Sequence, residues 1–218
     1  NLPEARDLLK TAGADISGER VRFDPAMIEE LMKSAPSQFT FHARNPENNA
    51  LIGGSNMLFG TVGSPPNCSD MEGGRRTGNH ADYRKFLKLA QYFNCIGFIA
   101  GYPVEPVDIH ASVRHLEALR DMVVMTDKPF HAYSLGSERI LDGIEIARIG
   151  RGISPEQMER EPSLFTIVNT NSPLKLDTPM LRGIIEMSFA EHEPGIYMFH
   201  AHQSEFAELG WMSHFEVV

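Results

Sequence analysis

The feature that most restricts this chain is an alternation of helix-like and strand-like segments that begins at Asn79 and runs to about Leu181. Tyr83, Phe86, Leu87, Ala90 and Phe93 mark one apolar helix face, and the run CIGFIAGYP follows as a buried strand. Val113, Leu116, Leu119 and Val123 mark the next helix, and KPFHAYSL reads as the next strand. Ser137 is expected to cap a third helix carrying Ile140, Leu141, Ile144 and Ala147, which Gly150 or Gly152 ends. Ser154, Pro155 and Gln157 open a short helix, SLFTIVNTNSPL is a third strand, and Asp177 or Thr178 with Pro179 opens one more helix. Three short apolar strands about 35 residues apart, each followed by a helix, predict right-handed βαβ units on a parallel sheet. Such units build a doubly wound sheet or a (β/α)8 barrel, and no GxGxxG follows any of the strands, which disfavours the dinucleotide fold. The expected fold is therefore α/β, a partial (β/α)8 TIM-type barrel with an N-terminal α+β segment.

In that N-terminal segment Asp24 and Pro25 start a helix with Met27, Ile28, Leu31 and Met32 on one face. The pieces FTFHAR, ALIGG and NMLFGTVG, from Phe39 to Gly63, predict a hairpin or meander ahead of the repeating units. Domain boundaries are expected near residues 78 and 186, giving 1–78, 79–186 and a tail, 187–218. With 218 residues and 42% hydrophobic content there is ample material for a core. The chain opens on Asn1 rather than Met, with a helix under way by Pro3, so a fragment is expected. Twenty Lys and Arg against 29 Asp and Glu, a net charge of -9, disfavour nucleic acid or an anionic membrane surface as partner and leave a small molecule. No apolar run approaches a membrane span. Cys68 and Cys95 form no CxxC and no disulfide-dense pattern, so a reducing, cytoplasmic setting is expected.

In parallel α/β folds ligands sit beyond the C-terminal ends of strands, where loops converge and helix N-termini point inward. Those exits are Gly101, Tyr102 and Pro103; His131, Tyr133 and Ser134; and Asn169, Thr170, Asn171 and Ser172. Tyr102 and Tyr133 are either rim tyrosines covering core or a wall for a methylated ammonium. Asn169 and Asn171, two apart, either share one strand face, where paired amides hold a carboxylate or a water, or close the strand in an Asx turn before Ser172. His131 is either a general base or a hydrogen-bonded core group. Arg75 and Arg76, in the glycine-rich loop DMEGGRRTGNHAD, either bind an anionic group of a cofactor or partner or lie on a solvated loop with Asn79 as a helix cap. No P-loop, HExxH or GxSxG occurs.

The phrases DMEGGRRTGNHADYRKFLKLAQ, HLEALRDMVVMTDKPFHAYSLGSER, DGIEIARIGRGIS and PSLFTIVNTNSPLKLDTPML resemble the trimethylamine methyltransferase family, over about Leu2 to Glu186 and in the family's order. The resemblance implies a (β/α)8 barrel that moves a methyl group from a tertiary or quaternary methylamine, trimethylamine or betaine-like, to the cobalt of a separate corrinoid protein. It also implies that no cofactor is bound directly, the acceptor being cobalamin on that partner, and it leaves a homo-oligomer open. Founding members of the family carry a pyrrolysine in a later strand, beyond Glu186. With half of the barrel absent, the stretch alone is expected to be inactive and, with exposed strand edges, poorly stable.

After Leu181 the text EHEPGIYMFHAHQSEFAELGWMSHFEVV resembles instead the C-terminal end of a multicopper oxidase. His200 and His202 would face one side of a strand and donate two imidazoles to copper. By the resemblance, Ala201 stands where that family often has a cysteine and Phe206 where it has a histidine, which removes a type 1 copper site. The alternatives are a copper-binding oxidase module or an inactive fragment, and the change of resemblance near Arg182 to Glu186 suggests a chimeric sequence.

Overall fold

The computed structural model describes residues 2–33, 36–133, 135–169 and 175–190 (side chains to 188), with the backbone of 196–200 and 212–216. It divides into two compact units, one of Asn1–Ser37, Ser134–Ser137 and Val168–Val218, the other of Gln38–Tyr133 and Glu138–Ile167.

In the first unit helix α1 (Pro3–Thr11) leads into an antiparallel hairpin, β1 (Asp15–Ser17) and β2 (Arg20–Arg22). Its two-residue turn needs a positive φ, which Gly18 supplies at 64°. The Arg6 guanidinium donates to the Gly18 carbonyl at 2.8 Å and ties the helix to this turn. Helix α2 (Pro25–Met32) begins where expected: the Asp24 carboxylate accepts from the Ala26 N–H at 2.8 Å and Pro25 occupies the first helical position.

The second unit starts with the antiparallel hairpin β3 (Gln38–Phe41) and β4 (Ala50–Gly53). Next comes β5 (Phe59–Gly60), which the sequence reading assigned to a hairpin or meander; it pairs in parallel with β8 (Ile96–Phe98). Between them lie a second hairpin, β6 (Asn67–Asp70) and β7 (Gly74–Thr77), and helix α3 (His80–Tyr92), capped by the Asn79 side chain, which accepts from Asp82 N–H at 2.9 Å. Helix α4 (Arg114–Met125) leads to β9 (Phe130–His131), and α5 (Ser137–Arg151) and α6 (Pro155–Arg160) lead to β10 (Leu164–Phe165). A parallel bridge joins Ile99 to Phe130, and β9 pairs in parallel with β10. Four parallel strands thus stand side by side in chain order, with helices between them. The fold is α/β as expected; the described strands make small sheets and none closes into a barrel.

At the N-terminal ends of these strands the β3–β4 hairpin is stitched to the sheet. His42 N–H donates to the Pro162 carbonyl at 2.7 Å, and Arg44 N–H to the Asp127 carbonyl at 3.1 Å. Lys128, buried here, donates its ammonium to the Ala90 and Phe93 carbonyls at 2.5 and 2.9 Å and so caps the end of α3. Burial lowers its pKa.

Helix faces correct the sequence reading in detail. On α3, Tyr83, Leu87 and Ala90 are buried as expected, while Phe86 and Phe93 are exposed. On α4 the buried positions are His115, Ala118, Leu119, Asp121 and Met122, and the expected Val113 and Leu116 point to solvent. Polar residues with partners hold the buried side there: His115 bonds to Asp142 of α5 at 2.9 Å, and Asp121 to His80 of α3 at 2.7 Å. On α5 the contact is made through Ile140, Gly143 and Ala147, with Leu141 outside. A Cβ on Gly143 would lie 2.7 Å from the Ala132 Cβ, so the missing side chain is what lets this helix touch the strand. Ser137 is the first residue of α5 rather than its cap, and its hydroxyl has no partner among the described residues. The other starts hold: Ser154 accepts from Gln157 N–H at 3.2 Å, and Asp177 caps α7 (Thr178–Ala190) by accepting from Met180 N–H at 3.0 Å. The backbone of β11 (Ile196–His200) pairs antiparallel with β12 (Met212–Glu216).

Candidate functional site

The C-terminal ends of β5, β8 and β9 converge on one oxygen, the Tyr133 hydroxyl. It accepts from the Tyr102 N–H at 3.2 Å and shares a hydrogen bond with the Ser64 hydroxyl. Ser64 N–H in turn donates to the Tyr102 carbonyl at 2.6 Å. One residue further out, Glu105 N–H donates to the Pro65 carbonyl at 2.9 Å. Nearer the strands, the Thr61 hydroxyl accepts from Ala100 N–H at 3.0 Å. Gly101, at φ 118°, turns the chain between β8 and Tyr102.

Around this oxygen the aromatic rings form a row. Tyr102 and Tyr133 lie 4.4 Å apart, tilted by 38°, and Tyr83 meets Tyr102 edge-on at 5.9 Å. His131 meets Tyr133 at 4.8 Å and Phe165 at 5.3 Å, and Phe98 and Phe41 reach Phe165 at 5.3 and 5.8 Å. Burial raises the phenol pKa of Tyr102 and Tyr133, so both stay neutral at physiological pH. Tyr102 is almost fully covered and Tyr133 half-buried. Two partners within the protein thus engage the Tyr133 oxygen.

His131 is 4% exposed, and burial pushes its pKa down to about 4. Its Nε2 accepts from the Ile167 N–H at 3.1 Å, which places the proton of the neutral ring on Nδ1. Nδ1 is buried and has no partner among the described residues. The imidazole therefore joins the exit of β9 to that of β10, and any proton taken at Nε2 would first have to displace the Ile167 N–H.

The remaining expected residues are not gathered here. Arg76 is held by Asp70 and by the buried carboxylate of Asp82, whose pKa it lowers, so it braces the β6–β7 hairpin against α3. Arg75 is exposed on the same hairpin. Asn169 is exposed and belongs to the other unit. Ser134, Thr170, Asn171, Ser172 and His202 lie outside the described residues, and His200 is the last residue of β11, its side chain likewise outside them. Among the described residues no group of three or more His, Cys, Asp or Glu is placed to hold a metal ion. No helix among them is long and apolar enough to cross a membrane.

The residue that sequence reasoning missed is Ser64. A signal was present: the Gly63-Ser64-Pro65 that leaves β5 repeats the Gly101-Tyr102-Pro103 that leaves β8.

Residues 1–199 match the family described as Trimethylamine methyltransferase (MTTB). The chain belongs to the trimethylamine methyltransferase family. This family member is 37% identical over 187 residues to a glycine betaine methyltransferase of Desulfitobacterium hafniense (strain Y51). That stretch is 86% of the chain but 38% of the relative, so the chain spans well under half of that protein's length. The family match runs to residue 199 and so covers residues 187–199, which the sequence reading gave to a tail of another family.

Proposed function

We propose that this trimethylamine methyltransferase family member contributes part of the substrate site of an enzyme that moves a methyl group from a tertiary or quaternary methylamine to the cobalt of a separate corrinoid protein. The observation that carries the reading is the Tyr102–Tyr133 ring pair at the strand ends, with the Tyr133 hydroxyl engaged internally. The π faces of such rings attract a methylated ammonium, and a quaternary one, which has no N–H, needs no hydrogen-bond acceptor beside them. The family and the name of the relative support the same class of substrate.

The chemistry gives the rings their purpose. Methyl transfer forms a cobalt–carbon bond and breaks the carbon–nitrogen bond, whose electron pair stays on the departing amine. An amine leaves only if its nitrogen starts out positively charged, so the protein must hold that charge in a dry place without neutralising it. A carboxylate against the nitrogen would stabilise the starting state; neutral rings hold it more loosely and exclude water. Four parallel strands in chain order are also what one half of a (β/α)8 barrel provides, and we infer that architecture for the whole protein, working in the cytoplasm on a small substrate with a corrinoid protein as partner.

The test is to mix the protein at full gene length with a corrinoid protein reduced to Co(I) and a panel containing trimethylamine, glycine betaine and related methylated amines. The absorbance change of methyl-cobalt formation with at least one of them is expected. Absence of the change with every amine, while methyl iodide still methylates the same corrinoid protein, refutes the reading.

A further inference from the structure

We propose that Ser64 is a positioning residue, which sets the angle of the Tyr133 ring through the shared hydrogen bond between their hydroxyls and thereby sets the affinity of the aromatic wall for a methylammonium ion. The inference rests on the cation reading given above and adds to it a residue on the first parallel strand's exit.

Three observations carry it. The O–H bond and lone pair of a phenol lie close to the plane of the ring, so two partners on that oxygen fix the ring's rotation as well as its far end. Tyr133 has two such partners, the Tyr102 N–H and the Ser64 hydroxyl. Next, Ser64 is the only non-glycine residue among those described with a positive φ, at 59°. Glycine takes that conformation more readily. A serine at this position has a disadvantage in the backbone that only its side chain can offset, and its side chain reaches Tyr133. Finally, the space around the two hydroxyls is kept open by Gly101, where a Cβ would stand 3.2 Å from the Tyr133 oxygen and 3.3 Å from the Ser64 oxygen.

The experiment is a titration of the protein with tetramethylammonium chloride, followed by NMR, for the wild type and for Ser64→Ala, Ser64→Gly, Tyr133→Phe and the Ser64→Ala/Tyr133→Phe double variant. Loss of ring alignment should weaken binding about tenfold in Ser64→Ala, a size consistent with a cation–π contact that is loosened but not removed. Ser64→Gly, which suits the positive φ but lacks the hydroxyl, should lose as much affinity as Ser64→Ala, so that the loss is assigned to the hydroxyl and not to the backbone. Tyr133→Phe keeps the ring but loses the shared oxygen, so it should resemble Ser64→Ala, and the double variant should be no weaker than either single one. Wild-type affinity in Ser64→Ala overturns the positioning role and leaves the cation reading standing. Equal losses that multiply in the double variant overturn it too, because Ser64 would then act without Tyr133. Wild-type protein that does not bind the ion removes the cation reading and this inference together.

Discussion

Acid should weaken this fold through one identifiable side chain. His131 is almost wholly covered by protein, and its folded pKa of about 4 lies well below the ordinary 6.5. Between those two values the unfolded chain binds a proton at this residue and the folded chain does not. Stability therefore falls as pH falls through that window and levels off once the folded imidazole also protonates. Each pH unit inside the window is worth about 1.4 kcal/mol, so the loss attributable to His131 is about 1.4 kcal/mol at pH 5.5 and about 3 kcal/mol at pH 4. The control is His131→Gln, which cannot titrate. It should be less stable than the wild type at pH 7 by about 1–3 kcal/mol, because the part-buried Ile167 N–H loses a well-placed acceptor. Urea unfolding followed by circular dichroism at pH 7, 5.5 and 4.5 measures both proteins. The gap between them should shrink as pH falls, since only the wild type carries the acid-sensitive contribution. A gap that stays constant over this range refutes the buried neutral imidazole, as does a His131 ring that titrates near 6.5 by NMR in the folded protein.

Three other changes test the packing around the parallel strands. Gly143→Ala should lower the melting temperature, because the roughly 1 kcal/mol gained in helix propensity is smaller than the roughly 1–3 kcal/mol cost of pushing α5 off Ala132. Tyr83→Phe removes a buried hydroxyl that donates to the Ala118 carbonyl at 2.7 Å, and chemical denaturation should show a loss of about 1 kcal/mol with the ring contact to Tyr102 retained. Lys128→Met keeps the aliphatic stem but leaves the Ala90 and Phe93 carbonyls without their ammonium donor; amide exchange in the last turn of α3 should quicken, with about 1–3 kcal/mol lost overall.

Local chemistry in this chain is readable without coordinates, and long-range chemistry is not. The starts of α2, α3 and α6 were visible because a cap acts over two or three residues, as at Asp24, Asn79 and Ser154. The face that α4 buries was not. His115 and Asp121 read as surface residues until their partners are known, and those partners, Asp142 and His80, lie 27 and 41 residues away. A periodicity argument assigns such positions to solvent and turns the helix accordingly, which is how Val113 and Leu116 came to be expected inside. The first parallel strand was missed for a related reason. Phe59 and Gly60 are its only residues in regular pairing, too few for an alternation pattern, and what marks them as parallel is β8, almost forty residues downstream.

The same limit decides what can be read of the site. That Tyr102, His131 and Tyr133 stand at strand ends follows from the spacing of apolar runs, and the structure places them in one aromatic row. Whether a polar atom there is available to a ligand depends on who else bonds to it, and that is set by neighbours from other strands. The Tyr133 oxygen is taken by Ser64 and Tyr102, and the His131 Nε2 by Ile167. Each bond that engages a polar atom also joins two strand exits, β5 to β9, β8 to β9 and β9 to β10. Groups that look in sequence like reagents thus act in the fold as ties, and of the ring pair beside them Tyr102 is almost wholly covered while Tyr133 is half-buried. The proposed methylated cation therefore rests on how these ties are arranged across the strand ends more than on the identity of any one side chain.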